Sequence, residues 1–97
     1  MIAKNRIPTH PGKILLEDFL RPMEISQTQL ADHIGDHAPK INDIIQGRRG
    51  ISPVMAWKLS RALGTSPEFW TNLQSAYDLA RARAEAPTTI KPIRRAG

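Results

Sequence analysis

The sequence contains no cysteine. Disulfides and thiolate-held metals are therefore excluded, and the composition fits a reducing compartment. No stretch approaches the roughly 20 apolar residues that a membrane span requires. Met1-Ile2-Ala3-Lys4-Asn5-Arg6 carries charge with no apolar core behind it, so it does not read as a signal peptide. These absences predict a cytoplasmic protein without membrane contact. Alternating apolar and polar runs of useful length are also missing, which argues against strands. No segment repeats another.

What remains is a chain of 97 residues, long enough for one domain with a modest core. The net charge is +5. A basic protein of this size suits nucleic acid, but charge alone is a weak guide. Residues 1–50 hold seven Lys and Arg against six Asp and Glu, whereas residues 51–97 hold seven against three. The excess lies toward the C-terminus, so any argument for DNA must come from geometry.

Helix signals dominate. Pro11 suits a first helical position, Ile14, Leu15, Phe19 and Leu20 follow at helical spacing, and Pro22 closes the first helix. Ser26 caps a second helix from Gln27 to His33 or Ile34, with Leu30, Ala31 and Ile34 inside and Gly35 at its end. After Asp36-His37, a third helix runs from about Ala38 to Gln46 with Ile41, Ile44 and Ile45 buried, and Gly47 stops it. Ser52-Pro53 and Ser66-Pro67 each pair an N-cap with a first-turn proline. The fourth helix is expected to bury Val54, Trp57, Leu59, Ala62 and Leu63 and to end at Gly64. The fifth carries Phe69, Trp70, Leu73, Ala76, Tyr77 and Ala80 and extends to about Ala84. The expected fold is thus all-α: a five-helix domain over residues 10–84, a flexible N-terminal arm over 1–9 and a flexible tail over 85–97.

Two short amphipathic helices joined by a tight glycine turn match the helix-turn-helix plan, whose second helix enters the major groove of DNA. With three isoleucines inside, the outer side of the third helix holds Pro39, Asp43 and Gln46, flanked by Lys40 and Asn42. Lys40 suits guanine or a phosphate, and Asn42 suits adenine or a phosphate. Ala38 and Pro39 offer apolar contact, and His37 lies near the groove at the helix start. Asp43 can accept from cytosine or, three residues after Lys40, hold that ammonium. Gln27, with Thr28 beside it, stands where a backbone phosphate meets a helix N-terminus. Arg48 and Arg49 are expected to reach the sugar-phosphate backbone. On spacing alone, a helical interaction protein without nucleic acid remains open.

The sequence resembles a known family over about residues 7–80. Ser26-Gln27-Thr28-Gln29-Leu30-Ala31, Gly35, Ile41-Asn42 and Gly47 are similar to the phage-repressor-like, or Xre/Cro, helix-turn-helix family. Thr9-His10-Pro11-Gly12-Lys13-Ile14-Leu15, Lys40 through Ile51, and Gly64-Thr65-Ser66-Pro67-Glu68-Phe69-Trp70 through Leu79 resemble the HigA-type antitoxins more narrowly. The resemblance implies a homodimer formed through the C-terminal helical region. It implies repression of its own operon through a palindromic operator, and neutralisation of a partner toxin, a ribosome-dependent mRNA endonuclease. It implies no catalysis and no cofactor. The stand-alone repressor is the alternative. Two departures stand out: Asp36 replaces the usual apolar residue after the turn glycine, where it is placed to cap the third helix. Lys40 stands where arginine is frequent, which makes bidentate guanine contact less favourable.

Other chemistry weighs less. His33 and His37 have metal-ligand spacing, but Gly35 breaks the face between them, so neither a metal nor a catalytic site is expected. Trp57, Trp70, Phe69 and Tyr77 read as core and interface rather than as a stacking platform for single strands. Phe69, Trp70, Leu73 and Tyr77 are the expected dimer interface.

Overall fold

A computed structural model describes residues 7–94, and five helical elements make up the fold. The first, α1 (Pro11–Ile14), continues without a break into a π-helical segment, Leu15–Leu20. Then come α2 (Gln27–Ile34), α3 (Ala38–Ile45), α4 (Pro53–Leu63) and α5 (Pro67–Ala82), with a 3-10 turn at Arg83–Glu85. No strand occurs among the described residues. The expected N-terminal arm lies outside the described residues over 1–6, and the end of the expected tail does so over 95–97. Residues 86–94 are exposed and carry no helix or strand.

The start signals act as their chemistry requires. Ser26 Oγ accepts from the Gln29 amide at 3.0 Å while Gln29 Oε1 accepts from the Ser26 amide at 2.8 Å, a reciprocal capping box. Ser52 and Ser66 cap α4 and α5 one way only, each accepting from the amide three residues on, with proline following. At α1 the cap is His10, whose Nδ1 accepts from the Gly12 amide at 2.9 Å. The π segment was not legible in the sequence. Its wide turn shows in the Arg21 amide, which donates to the Leu16 carbonyl five residues back.

Leu15, Leu20, Leu30, Ile41, Ile44, Met55, Leu59 and Trp70 form the centre of the core. α1 packs on α3 at close quarters: a Cβ at Gly12 would fall inside the Ile44 carbonyl, so only glycine lets the two backbones meet. The loop between α3 and α4 is fastened to α5 by Gln74, whose Oε1 accepts from the amide of buried Ile51 at 2.8 Å. Gln74 Nε2 in turn donates to Asp78 at 2.9 Å.

Two expectations about the core are corrected. Val54 and Trp57 are 66% and 54% exposed, because the buried stripe of α4 is Met55, Ala56 and Leu59. Positions 54 and 57 fall on the opposite side at 100° per residue. There the Arg61 guanidinium lies 5.5 Å above the Trp57 ring. On α5, Ala76 is exposed.

Candidate nucleic-acid interface

Gly35 ends α2 with φ +69°, and the Asp36 amide turns back to the Ala31 carbonyl at 2.9 Å. That left-handed residue makes the turn tight enough to set α3 across α2. α3 buries Ile41, Ile44 and Ile45 and leaves His37, Pro39 and Gln46 exposed, with Ala38, Lys40, Asn42 and Asp43 half-buried. Thr28 is exposed on α2, and Arg48 and Arg49 are exposed just past α3.

The polar side chains form two groups. In the first, Asp36 Oδ2 lies 3.2 Å from Lys40 Nζ and 3.1 Å from Lys58 Nζ. The carboxylate is nearly enclosed, with 6% of its side chain exposed, and Oδ1 accepts from the His37 amide at 2.8 Å. That backbone bond and the two ammonium groups hold the carboxyl at about 2, against the opposing effect of burial. Asp36 therefore does not cap α3: His37 is the cap residue and makes no side-chain cap bond. Nor does Asp36 present net negative charge, because two cations enclose one anion. The expected Lys40–Asp43 pairing is replaced by this one. Lys58, which comes from α4, carried no local signal in the sequence, whereas Asp36 and Lys40 are four apart.

The second group joins α2 to the end of α3. Asn42 Nδ2 donates to Gln27 Oε1 at 3.1 Å, and Asn42 Oδ1 accepts from Arg48 Nη2 at 3.1 Å. Arg48 Nε donates to Asp43 Oδ1 at 3.1 Å. Asp43 therefore belongs to Arg48, and Asn42 has spent the acceptor that bidentate adenine contact needs. The side chains of Arg49, His37 and Thr28 have no partner among the described residues.

Four residues were expected at a dimer interface, and Trp70 is corrected: it is wholly buried within one chain. Its indole Nε1 donates to Thr65 Oγ1 at 2.7 Å, and its ring packs against Phe19 and Phe69. Leu73 is half-buried against the same core, and Tyr77 stands edge-on to His10 at 4.7 Å. Phe69 stays 37% exposed. The outer face of α5 is instead Asn72, Ala76 and Leu79, with Leu79 74% exposed. No group of three or more His, Cys, Asp or Glu among the described residues is placed to hold a metal, and no helix is long and apolar enough to cross a membrane.

A family model described as helix-turn-helix matches residues 16–70. The antitoxin HigA-1 of Vibrio cholerae is 40% identical over 96 residues, covering 96% of this chain and 90% of that protein. Virulence-associated protein I of Dichelobacter nodosus is 40% identical over 84 residues, covering 86% and 78%. Among solved structures, the Pseudomonas aeruginosa antitoxin HigA with the higBA promoter superposes with a TM-score of 0.83 at 44% identity, covering 89% of this chain and 98% of that one. The antitoxin GraA in complex with its operator gives a TM-score of 0.85 at 37% identity, covering 98% and 100%. The five-helix arrangement, the turn at Gly35 and these likenesses agree: the chain belongs to the Xre-type helix-turn-helix family and, within it, to the HigA-type antitoxins, which are binding proteins and not enzymes.

Proposed function

We propose that this protein is a DNA-binding antitoxin that acts in the cytoplasm. As a homodimer it binds a two-fold operator at its own gene through α2, the turn and α3. It neutralises a partner toxin, a ribosome-dependent mRNA endonuclease. The observation that carries DNA binding is the exposed side of α3 and its exit. Lys40, Arg48 and Arg49 give that side a positive balance, since Asp36 is shared by two lysines and Asp43 is turned onto Arg48. Lys40 and the start of α3 serve base contact; Gln27, Thr28, Arg48 and Arg49 serve the phosphates. The solved relatives bound to promoter or operator DNA support this reading.

The dimer seam is the outer face of α5. Phe69, Ala76 and Leu79 lie there within one helical stripe, and a single small domain leaves them uncovered. A two-fold dimer matches a palindromic operator because protein and DNA then share one axis. Toxin neutralisation follows by mass action: a tight complex removes the nuclease from the ribosome, and loss of antitoxin releases it.

Two measurements test the proposal. Titration of the duplex upstream of the gene should give specific binding that weakens steeply with salt. Expression of the neighbouring gene's product should arrest growth, and co-expression of this protein should restore it. A harmless neighbour, or one that this protein does not capture, removes the antitoxin role and leaves a stand-alone repressor. Failure to prefer the upstream duplex over an unrelated one removes the DNA role.

A further inference from the structure

The side-chain amides of Gln27 and Asn42 have fixed orientations, and the chemistry of Arg48 fixes them. A guanidinium only donates, so the Asn42 atom 3.1 Å from Arg48 Nη2 must be the oxygen. The nitrogen of Asn42 then faces Gln27, and as a donor it requires the Gln27 oxygen, again at 3.1 Å. Gln27 is left with both Nε2 hydrogens, which have no partner among the described residues. It occupies the first position of α2, next to the Ser26 cap. A DNA phosphate accepts hydrogen bonds and donates none, so this is the only amide orientation it can use.

We propose that Asn42 is a positioning residue that reads no base: held between Arg48 and Gln27, it fixes the Gln27 amide so that its donors face the DNA backbone. The relay runs from the exit of α3 back to the start of α2 and locks the relative placement of two phosphate-contacting groups. Arg48 is itself anchored by Asp43, so the chain of bonds has a fixed end. Without Asn42, Gln27 can turn either face outward, and half of its orientations set an oxygen against a phosphate.

This inference rests on the DNA-binding reading above, and its test separates the two. Wild type, Asn42→Ala, Gln27→Lys and the double variant are titrated with the duplex upstream of the gene and with an unrelated duplex of equal length. Asn42→Ser serves as a second variant, and thermal melting checks that each protein is folded. Asn42→Ala and Asn42→Ser should weaken both duplexes by the same factor, about three- to tenfold, leaving the preference between them unchanged. In the Gln27→Lys background Asn42→Ala should change affinity less than about twofold, because an ammonium presents equivalent donors however it turns. A loss confined to the upstream duplex, or one that persists undiminished in the Gln27→Lys background, overturns the relay while leaving DNA binding in place. A wild type that does not prefer the upstream duplex overturns the DNA reading, and the relay with it.

Discussion

Lys58 of α4 reaches across to Asp36, in the turn before α3, with 3.1 Å between Nζ and Oδ2. Lys40 of α3 reaches the same oxygen from the other side. One carboxylate thus ties the proposed reading helix to the helix behind it.

Acid should undo this tie. The folded carboxyl titrates at about 2, below its ordinary value of 3.8. Its contribution is therefore fully present above about pH 4 and is lost as the pH falls through about 2. Asp36→Asn keeps an oxygen for the His37 amide but removes the charge. It should lower stability at neutral pH by about 1–2 kcal/mol, allowing for two lysines a third exposed. Urea unfolding from pH 7 down to pH 2 measures both effects, and in the variant the decline between pH 4 and 2 should flatten.

His10 gives a second pH dependence, in a higher range. Burial holds its pKa below the ordinary 6.5, Arg81 adding to the effect and Asp78 opposing it. Its Nδ1 accepts from Gly12 and so must be unprotonated. The cap is present above about pH 6.5 and is lost as the pH falls through the lowered folded value. His10→Asn should retain a cap without that titration, whereas His10→Ala should cost about 1 kcal/mol near neutral pH and progressively less in acid, where the wild type loses the same cap. Thermal melts at pH 7.5 and pH 5 distinguish them.

The two arginines after α3 should differ in their salt dependence. Arg49 has no side-chain partner among the described residues, whereas Arg48 already pairs with Asp43. Arg49→Ala should reduce the slope of log affinity against log salt by about one unit on any duplex. Arg48→Ala should reduce it by less, because an ion pair within the protein already offsets part of its charge. Titrations at four salt concentrations resolve the slopes.

Leu79→Glu should separate the dimer without unfolding the domain. The side chain is 74% exposed in one chain, so folding does not depend on burying it. Sedimentation at micromolar concentration should shift from dimer toward monomer, with the helical content unchanged. A variant that sediments as a dimer places the seam elsewhere.

Where helices begin was legible in the sequence because N-caps act locally: Ser26, Ser52 and Ser66 each bond an amide three residues on. The inner face of α4 was not, since Val54 and Trp57 are apolar enough to be mistaken for core while Met55 and Ala56 fill it. Periodicity alone did not separate the two stripes. Gln27, Asn42 and Arg48 were each recognisable as contact residues, but the bonds among them span 15 and six positions, and sequence spacing does not report such distances. Trp70 was misplaced for a related reason. An aromatic residue on an amphipathic helix fits a core or an interface equally well until Thr65 and Phe19 are seen to enclose it.

The bare contact at Gly12 has a mechanical meaning. Side chains between helices act as cushions, and a helix seated on them can slide or tilt by small repacking. Where α1 meets the Ile44 carbonyl there is no cushion, and Lys58 and Asp36 brace the other end of the same unit. α3 is therefore carried as a fixed tooth rather than a sprung one. Two such teeth, joined through α5 in the proposed dimer, work as callipers. Such a dimer would gauge the separation of two half-sites as a length, so that a site of correct bases at the wrong spacing would be bound weakly.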